Sequence, residues 1–139
     1  MRYWEIIGEP VAKGRPRVAS VGGNARMYTP AKTKKWEAMA EKIFRLNPQG
    51  EMMGGAIKVI IDVYFRRPQR LPKGGGQQYN HVTRSDLDNC IKAVLDAMQN
   101  AELMQDDKQI VRISASKWYT GSDKSPRVEV SMQSVGGML

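Results

Sequence analysis

Residues 57–65 impose the strongest constraint on how this chain folds. Ile57, Val59, Ile61, Val63 and Phe65 alternate with Lys58, Asp62 and Tyr64. A period of two over that length specifies a β-strand with one buried face. Such a face must be covered by a second layer, and two other segments supply one. Trp36, Met39, Ala40, Ile43 and Phe44 recur at helical spacing behind Thr29-Pro30, a pairing of N-cap and first helical residue, and predict a helix over about 30–46. Leu87, Ile91, Val94, Leu95 and Met98 share one face of a second predicted helix, about 87–100, with Asn100 near its end.

Three more segments complete the sheet. Tyr3–Ile7 is short and aromatic-rich, and Gly8 and Pro10 stop it. Val111, Ile113, Ala115 and Tyr119 alternate in another strand, and Val128, Val130 and Met132 in the last, with Gly121–Pro126 between them. The expected fold class is α+β: two helices packed on a mixed β-sheet, one domain over 1–139, with a Gly-containing tail frayed from Ser134. At 139 residues the chain buries enough surface for a core without staples.

Charge is distributed unevenly over this frame. The net charge is +8, yet five of the seven Asp residues fall between positions 86 and 107. Pro10–Trp36 contains no acid and seven basic residues, and Val63–Ser85 contains no acid and five. Twelve of the 22 basic residues therefore lie in two acid-free stretches, which favours a phosphate-binding face. The candidate nucleic-acid contacts are Lys13, Arg15, Arg17, Arg66, Arg67, Arg70, Lys73 and Arg84. Gly14, Pro16, Gly22 and Gly23 make the first stretch a loop or irregular hairpin, and Pro68, Pro72 and Gly74–Gly76 make the second a long loop.

The acids give these basic stretches a chemistry. Asp86 and Asp88 open the second helix, and Asp88, Lys92 and Asp96 fall on one of its stripes, with Lys92 one turn from Asp88. Asp106 and Asp107 precede the next strand. Carboxylates gathered at one point repel unless a cation sits among them, and divalent ions there would clamp a phosphate for in-line attack by metal-bound water. Asp oxygens suit Mg²⁺ better than His or Cys would. A tight acidic cluster in a basic protein therefore fits a metal-dependent nuclease. Each piece also has a plainer reading. Asp86 and Asp88 could serve as an N-cap and dipole partner, Asp88 and Lys92 as a solvated pair, Asp96 as a structural carboxylate, and Asp106-Asp107 as a turn. His81, the lone histidine, stands in the Gly-rich loop as an incidental or substrate-contact side chain.

The run Arg84-Ser85-Asp86-Leu87-Asp88-Asn89-Cys90-Ile91-Lys92, followed by Asp106-Asp107-Lys108-Gln109-Ile110, resembles the RusA-type Holliday junction resolvases of bacteria and their prophages. The Lys-Gly-Arg-Pro-Arg run at 13–17 is similar to basic segments in that family. The resemblance implies that Asp86, Asp88 and Asp107 bind metal and that Lys92 is the catalytic lysine. It also implies a homodimer that nicks opposing strands of four-way junction DNA with Mg²⁺ or Mn²⁺. Ser85 departs from the proline that many relatives place before the first aspartate. Two other classes stand beside this one: a basic junction-binding protein without nuclease activity, and a small-molecule phosphohydrolase, which the extended basic stretches disfavour.

The single Cys90 forms no internal disulfide and fits a reducing compartment. No apolar run approaches the ~20 residues needed to span a bilayer, and the N-terminus has no signal-peptide core. The expected location is the cytoplasm, with no membrane partner.

Overall fold

A computed structural model describes residues 1–13, 17–28, 30–71, 82 and 86–136, with 17–21 and 24–28 defined by their backbone. The elements, in chain order, are β1 (Arg2–Ile7), β2 (Arg17–Val21), β3 (Asn24–Tyr28), α1 (Ala31–Leu46), β4 (Ile57–Phe65), α2 (Leu87–Asn100), β5 (Ile110–Tyr119) and β6 (Arg127–Ser134). Asp107–Gln109 forms one 3₁₀ turn ahead of β5.

The alternating segment becomes the centre of the sheet. β4 pairs with β6 antiparallel and with β5 parallel, in the order β1-β6-β4-β5. Its apolar residues Ile57, Val59, Ile61 and Val63 are fully buried. Both helices cover that face, α1 through Trp36, Ala40 and Phe44 and α2 through Cys90, Ala93, Val94, Ala97 and Met98. Trp4 on β1 meets Phe44 edge-to-face at 5.2 Å and donates from Nε1 to the Asn47 carbonyl at 2.6 Å, which ties the end of α1 to the sheet. On the opposite face Trp118 donates to Asp62 at 3.2 Å, and the Arg127 guanidinium stacks 3.9 Å from the Tyr64 ring.

The path between β4 and β5 positions the functional residues. Parallel neighbours cannot be joined by a tight turn, so the chain leaving the end of β4 must travel back to its starting edge. α2 makes that return. Its exit is anchored there: Met53, just ahead of β4, donates to the Leu103 carbonyl at 2.9 Å and bridges to Met104. α2 therefore begins at the carboxyl ends of β4 and β5 and finishes at their amino ends.

Four local expectations are refined. The first acid-free stretch contains a regular hairpin, β2–β3, turned by Gly22 and Gly23 at φ +58° and +83°. Two successive positive φ values are what a two-residue turn matching strand twist requires. α1 starts at Ala31 with Pro30 in the capping position, one residue later than the Thr29-Pro30 pairing suggests, and Pro30 makes no side-chain cap. Val111 and Ile113 are 58% and 45% exposed: β5 is an edge strand, and a register shift between Ile57 and Lys58 leaves Val111 out of its pairing with β4. The chain stays tied to the sheet one residue beyond Ser134, with Val135 donating to the Ala56 carbonyl at 2.9 Å, and 137–139 lie outside the described residues.

Candidate active site

Asp86 stands at the entrance of α2 in an extended conformation, φ −71° and ψ 137°, and its side chain caps nothing. The N-cap explanation of this acid therefore loses its physical basis, since capping requires the side-chain oxygen to accept from the first turn. Asp88 lies in that first turn, and both residues are exposed. Lys92, one turn on, is also exposed, and among the described residues no ion pair joins it to Asp88.

Asp96 has a partner elsewhere. Lys13 Nζ reaches its carboxylate at 2.5 Å and Glu37 of α1 at 3.1 Å, while the Lys13 amide donates to the Asn89 carbonyl at 3.0 Å. Partial burial opposes the charge on Lys13, but hydrogen bonds and attraction from Asp96 and Glu37 outweigh it and raise its pKa. Lys13 thus clamps the incoming basic segment and α1 to α2, and its ammonium is engaged within the protein. Glu37 is absent from the residues that the sequence singles out. Its place at the helix–helix boundary, opposite a distant lysine, gives no local signal.

The second acidic pair divides its labour. Asp106 accepts from the Lys108 amide at 2.8 Å, and Gln109 Oε1 accepts from the Asp106 amide at 3.1 Å, closing a reciprocal capping box. The Lys108 amide is the main cause of the lowered Asp106 pKa. Gln109 also donates to the carbonyls of Met53 and Gly55 at 2.9 and 3.0 Å. Asp106 and Gln109 are therefore scaffolding, and the adjacent Asp107 is held exposed.

Asp107 stands at the far end of α2. Its amide donates to the Gln99 side chain at 3.3 Å, and Gln99 lies 13 residues from Asp86, about 20 Å along a helix axis. Within one chain Asp86, Asp88 and Lys92 lie in and just before the first turns of α2, at the carboxyl ends of β4 and β5, and Asp107 lies at their amino ends. Among the described residues no three His, Cys, Asp or Glu side chains stand together to hold one metal ion.

The basic residues following β4 emerge at the α2-entrance edge. Arg66 is exposed, with its amide donating to the Glu9 carboxylate at 3.2 Å; Arg67 is half-buried and Arg70 exposed. Arg17 begins β2, where the backbone alone is described. Arg15, Lys73, His81 and Arg84 lie outside the described residues. Lys117 is a residue that sequence reasoning misses, although it interrupts the alternation Ile113, Ala115, Tyr119 with a charge on the helix-covered face.

The pattern of the family described as endodeoxyribonuclease RusA matches residues 8–133. The uncharacterized protein YqaN of Bacillus subtilis (strain 168) is 30% identical over 137 residues, covering 94% of each chain. Among the described residues no helix is long and apolar enough to cross a membrane.

Proposed function

Because this chain belongs to the endodeoxyribonuclease RusA family, we propose that it resolves four-way DNA junctions by divalent-metal-dependent phosphodiester hydrolysis, as a homodimer. The observation that carries this reading is the α2 entrance, where two exposed carboxylates, Asp86 making no cap, stand with Lys92 at the same end of the sheet as the arginines that follow β4. Asp86 and Asp88 are hard oxygen donors suited to Mg²⁺ or Mn²⁺. The bound cation supplies neutralisation of phosphate charge and activation of water.

The chain's own residues do the rest. Arg66 and Arg70 hold flanking phosphates. Lys92 donates to the oxygen that gathers negative charge as the P–O bond breaks, a contribution made mainly in the transition state. Asp107 completes the carboxylate set from a second copy. Two copies related by a twofold axis with antiparallel α2 helices would bring the Asp107 end of one to the Asp86 end of the other, twice over. The exposed Met52, Val111 and Ile113 beside Asp107 support an interface there, at 49%, 58% and 45% exposure. A dimer with two equivalent sites also suits a junction with twofold symmetry.

The absence of a three-carboxylate cluster among the described residues of one chain favours a second reading, a non-catalytic junction binder. Incubating the protein with four-way, three-way and linear duplex DNA, with Mg²⁺ or with EDTA, separates the two. Metal-dependent nicking of the four-way substrate supports the nuclease, and retention without cutting supports the binder.

A further inference from the structure

The two edges of the sheet are finished differently. At the β1 edge the Gln49 side chain takes both backbone groups of Tyr3, its Oε1 accepting from the amide at 2.9 Å and its Nε2 donating to the carbonyl at 2.5 Å. A further strand adds there only by displacing Gln49. The other edge, β5, runs for 10 residues, and among the described residues no strand lies outside it. A long edge with apolar side chains invites pairing with another chain unless something covers it. Val111, which has no partner in β4, and Ile113 are such side chains, at 58% and 45% exposure. The segment Ile110–Ser116 also contains no proline and no acid.

What one chain lacks identifies the occupant. Asp107 lies at the amino ends of β4 and β5, and Asp86 and Asp88 lie at their carboxyl ends. A strand laid antiparallel on β5 and preceded by its own aspartate delivers that aspartate to the opposite end. A second copy of this chain supplies such a strand, and the exchange is reciprocal about a twofold axis.

We propose that two copies pair through β5, antiparallel and centred on Ile113, to form one continuous sheet. In this register Ile113 lies opposite Ile113 of the partner, and Val111 opposite the partner's Ala115, so the exposed apolar residues cover one another. Arg112 falls opposite the partner's Ser114, whereas a register displaced by three residues would set it against the partner's Lys117. Antiparallel pairing within one sheet places the axis perpendicular to it, so both helical layers lie on the same face. α2 packs toward β5 and α1 toward β1, which makes the two α2 helices inner, antiparallel neighbours. Asp107, three residues ahead of Ile110, then reaches past the paired stretch to the end of the partner's sheet where α2 begins. The assignment rests on the proposed shared site and names the surface that forms it.

The test combines cross-linking with charge exchange on the axis. Ile113→Cys should form an intermolecular disulfide on mild oxidation, since paired axial residues fall within the about 4.4–6.8 Å Cα separation that a disulfide spans. Ser116→Cys should not, because its copies would stand about 20 Å apart along the strands. Wild type, whose Cys90 is buried, should not either. Ile113→Lys and Ile113→Glu should each sediment as monomers where wild type is a dimer, and each should lose metal-dependent nicking of a four-way junction. Mixing the two should restore both the dimer and the nicking. Thermal melting checks that the variants fold, and the cysteine series decides the question if they do not. A wild-type monomer overturns the pairing. So does a dimer that Ile113→Lys leaves intact or that Ile113→Cys fails to cross-link, and nicking retained in that case leaves the nuclease reading standing. A cross-linked dimer that binds junctions but cuts none with Mg²⁺ or Mn²⁺ supports the pairing and overturns the nuclease reading.

Discussion

Two inactive variants should rescue one another if Asp107 completes a site begun by Asp86 and Asp88 of another subunit. The perturbation is a pair of substitutions, Asp88→Asn and Asp107→Asn, prepared separately and co-refolded in equal amounts. Asp107 is bonded through its amide to Gln99, and the about 20 Å of helix between Gln99 and Asp86 keeps the two carboxylate groups apart within one chain. In a mixed dimer one site combines both lesions, and the other combines the intact Asp88 of one subunit with the intact Asp107 of its partner. Random pairing makes about half the dimers mixed, each with one sound site, so about a quarter of wild-type sites return. Each variant alone should bind junctions within a few-fold of wild type and cut essentially nothing. The assay is nicking of a four-way junction labelled on each strand in turn, and the mixture should nick one strand per junction. A mixture as inactive as its parents, with subunit exchange verified by a size-tagged partner, would refute the shared site.

Lys92→Ala should slow single-turnover cleavage by roughly 10²–10³-fold; with no ion pair to Asp88 among the described residues, its melting temperature should remain at the wild-type value. Replacing the exposed Arg66 and Arg70 together with alanine should flatten the salt slope of junction binding by up to about two units, and an unchanged slope would move the DNA path to the 13–35 segment. Burial pushes the Cys90 thiol up to about 11, so at pH 8 only about one part in a thousand is thiolate. Labelling by an aromatic disulfide should therefore follow global unfolding in denaturant, and rapid labelling of the native protein would contradict the burial.

The fold is legible in the sequence wherever periodicity is long and one-sided. The alternation from Ile57 to Phe65 and the apolar face of residues 87–100 produce elements with those bounds, because each must bury one face against the other. β5 departs in part from its pattern. Val111 and Ile113 alternate like core residues, but alternation cannot report that the strand lies at the sheet edge or that a register shift drops Val111 from its pairing with β4. The β2–β3 hairpin is only half visible: Gly22-Gly23 marks a turn, yet the flanking Arg17–Val21 and Asn24–Tyr28 lack a uniform apolar face.

The candidate site divides along a similar line. Asp86, Asp88 and Lys92 are close in sequence on one helix, so their proximity follows directly from residue spacing. The relation of Asp107 to them depends on the direction of α2 between two parallel strands, which spacing does not encode. Lys13 and Lys117 show the same limit. Lys13 has the sequence setting of a phosphate contact, in an acid-free basic stretch, and is engaged instead by Glu37 and Asp96. Lys117 interrupts the apolar alternation of its strand, but only the register, which places it opposite Val63, shows that this face is the one turned to the core.

The most direct measurement of the central claim uses a supercoiled plasmid that extrudes a cruciform. A dimer with two metal-dependent sites incises opposing strands within one binding event, and the plasmid becomes linear without accumulating as nicked circle. The account predicts linear product with Mg²⁺ or Mn²⁺, none in EDTA, and none from Asp88→Asn or Asp107→Asn alone. A protein that binds the cruciform tightly but leaves the plasmid supercoiled with either metal would contradict the account and identify a junction-binding protein without nuclease activity.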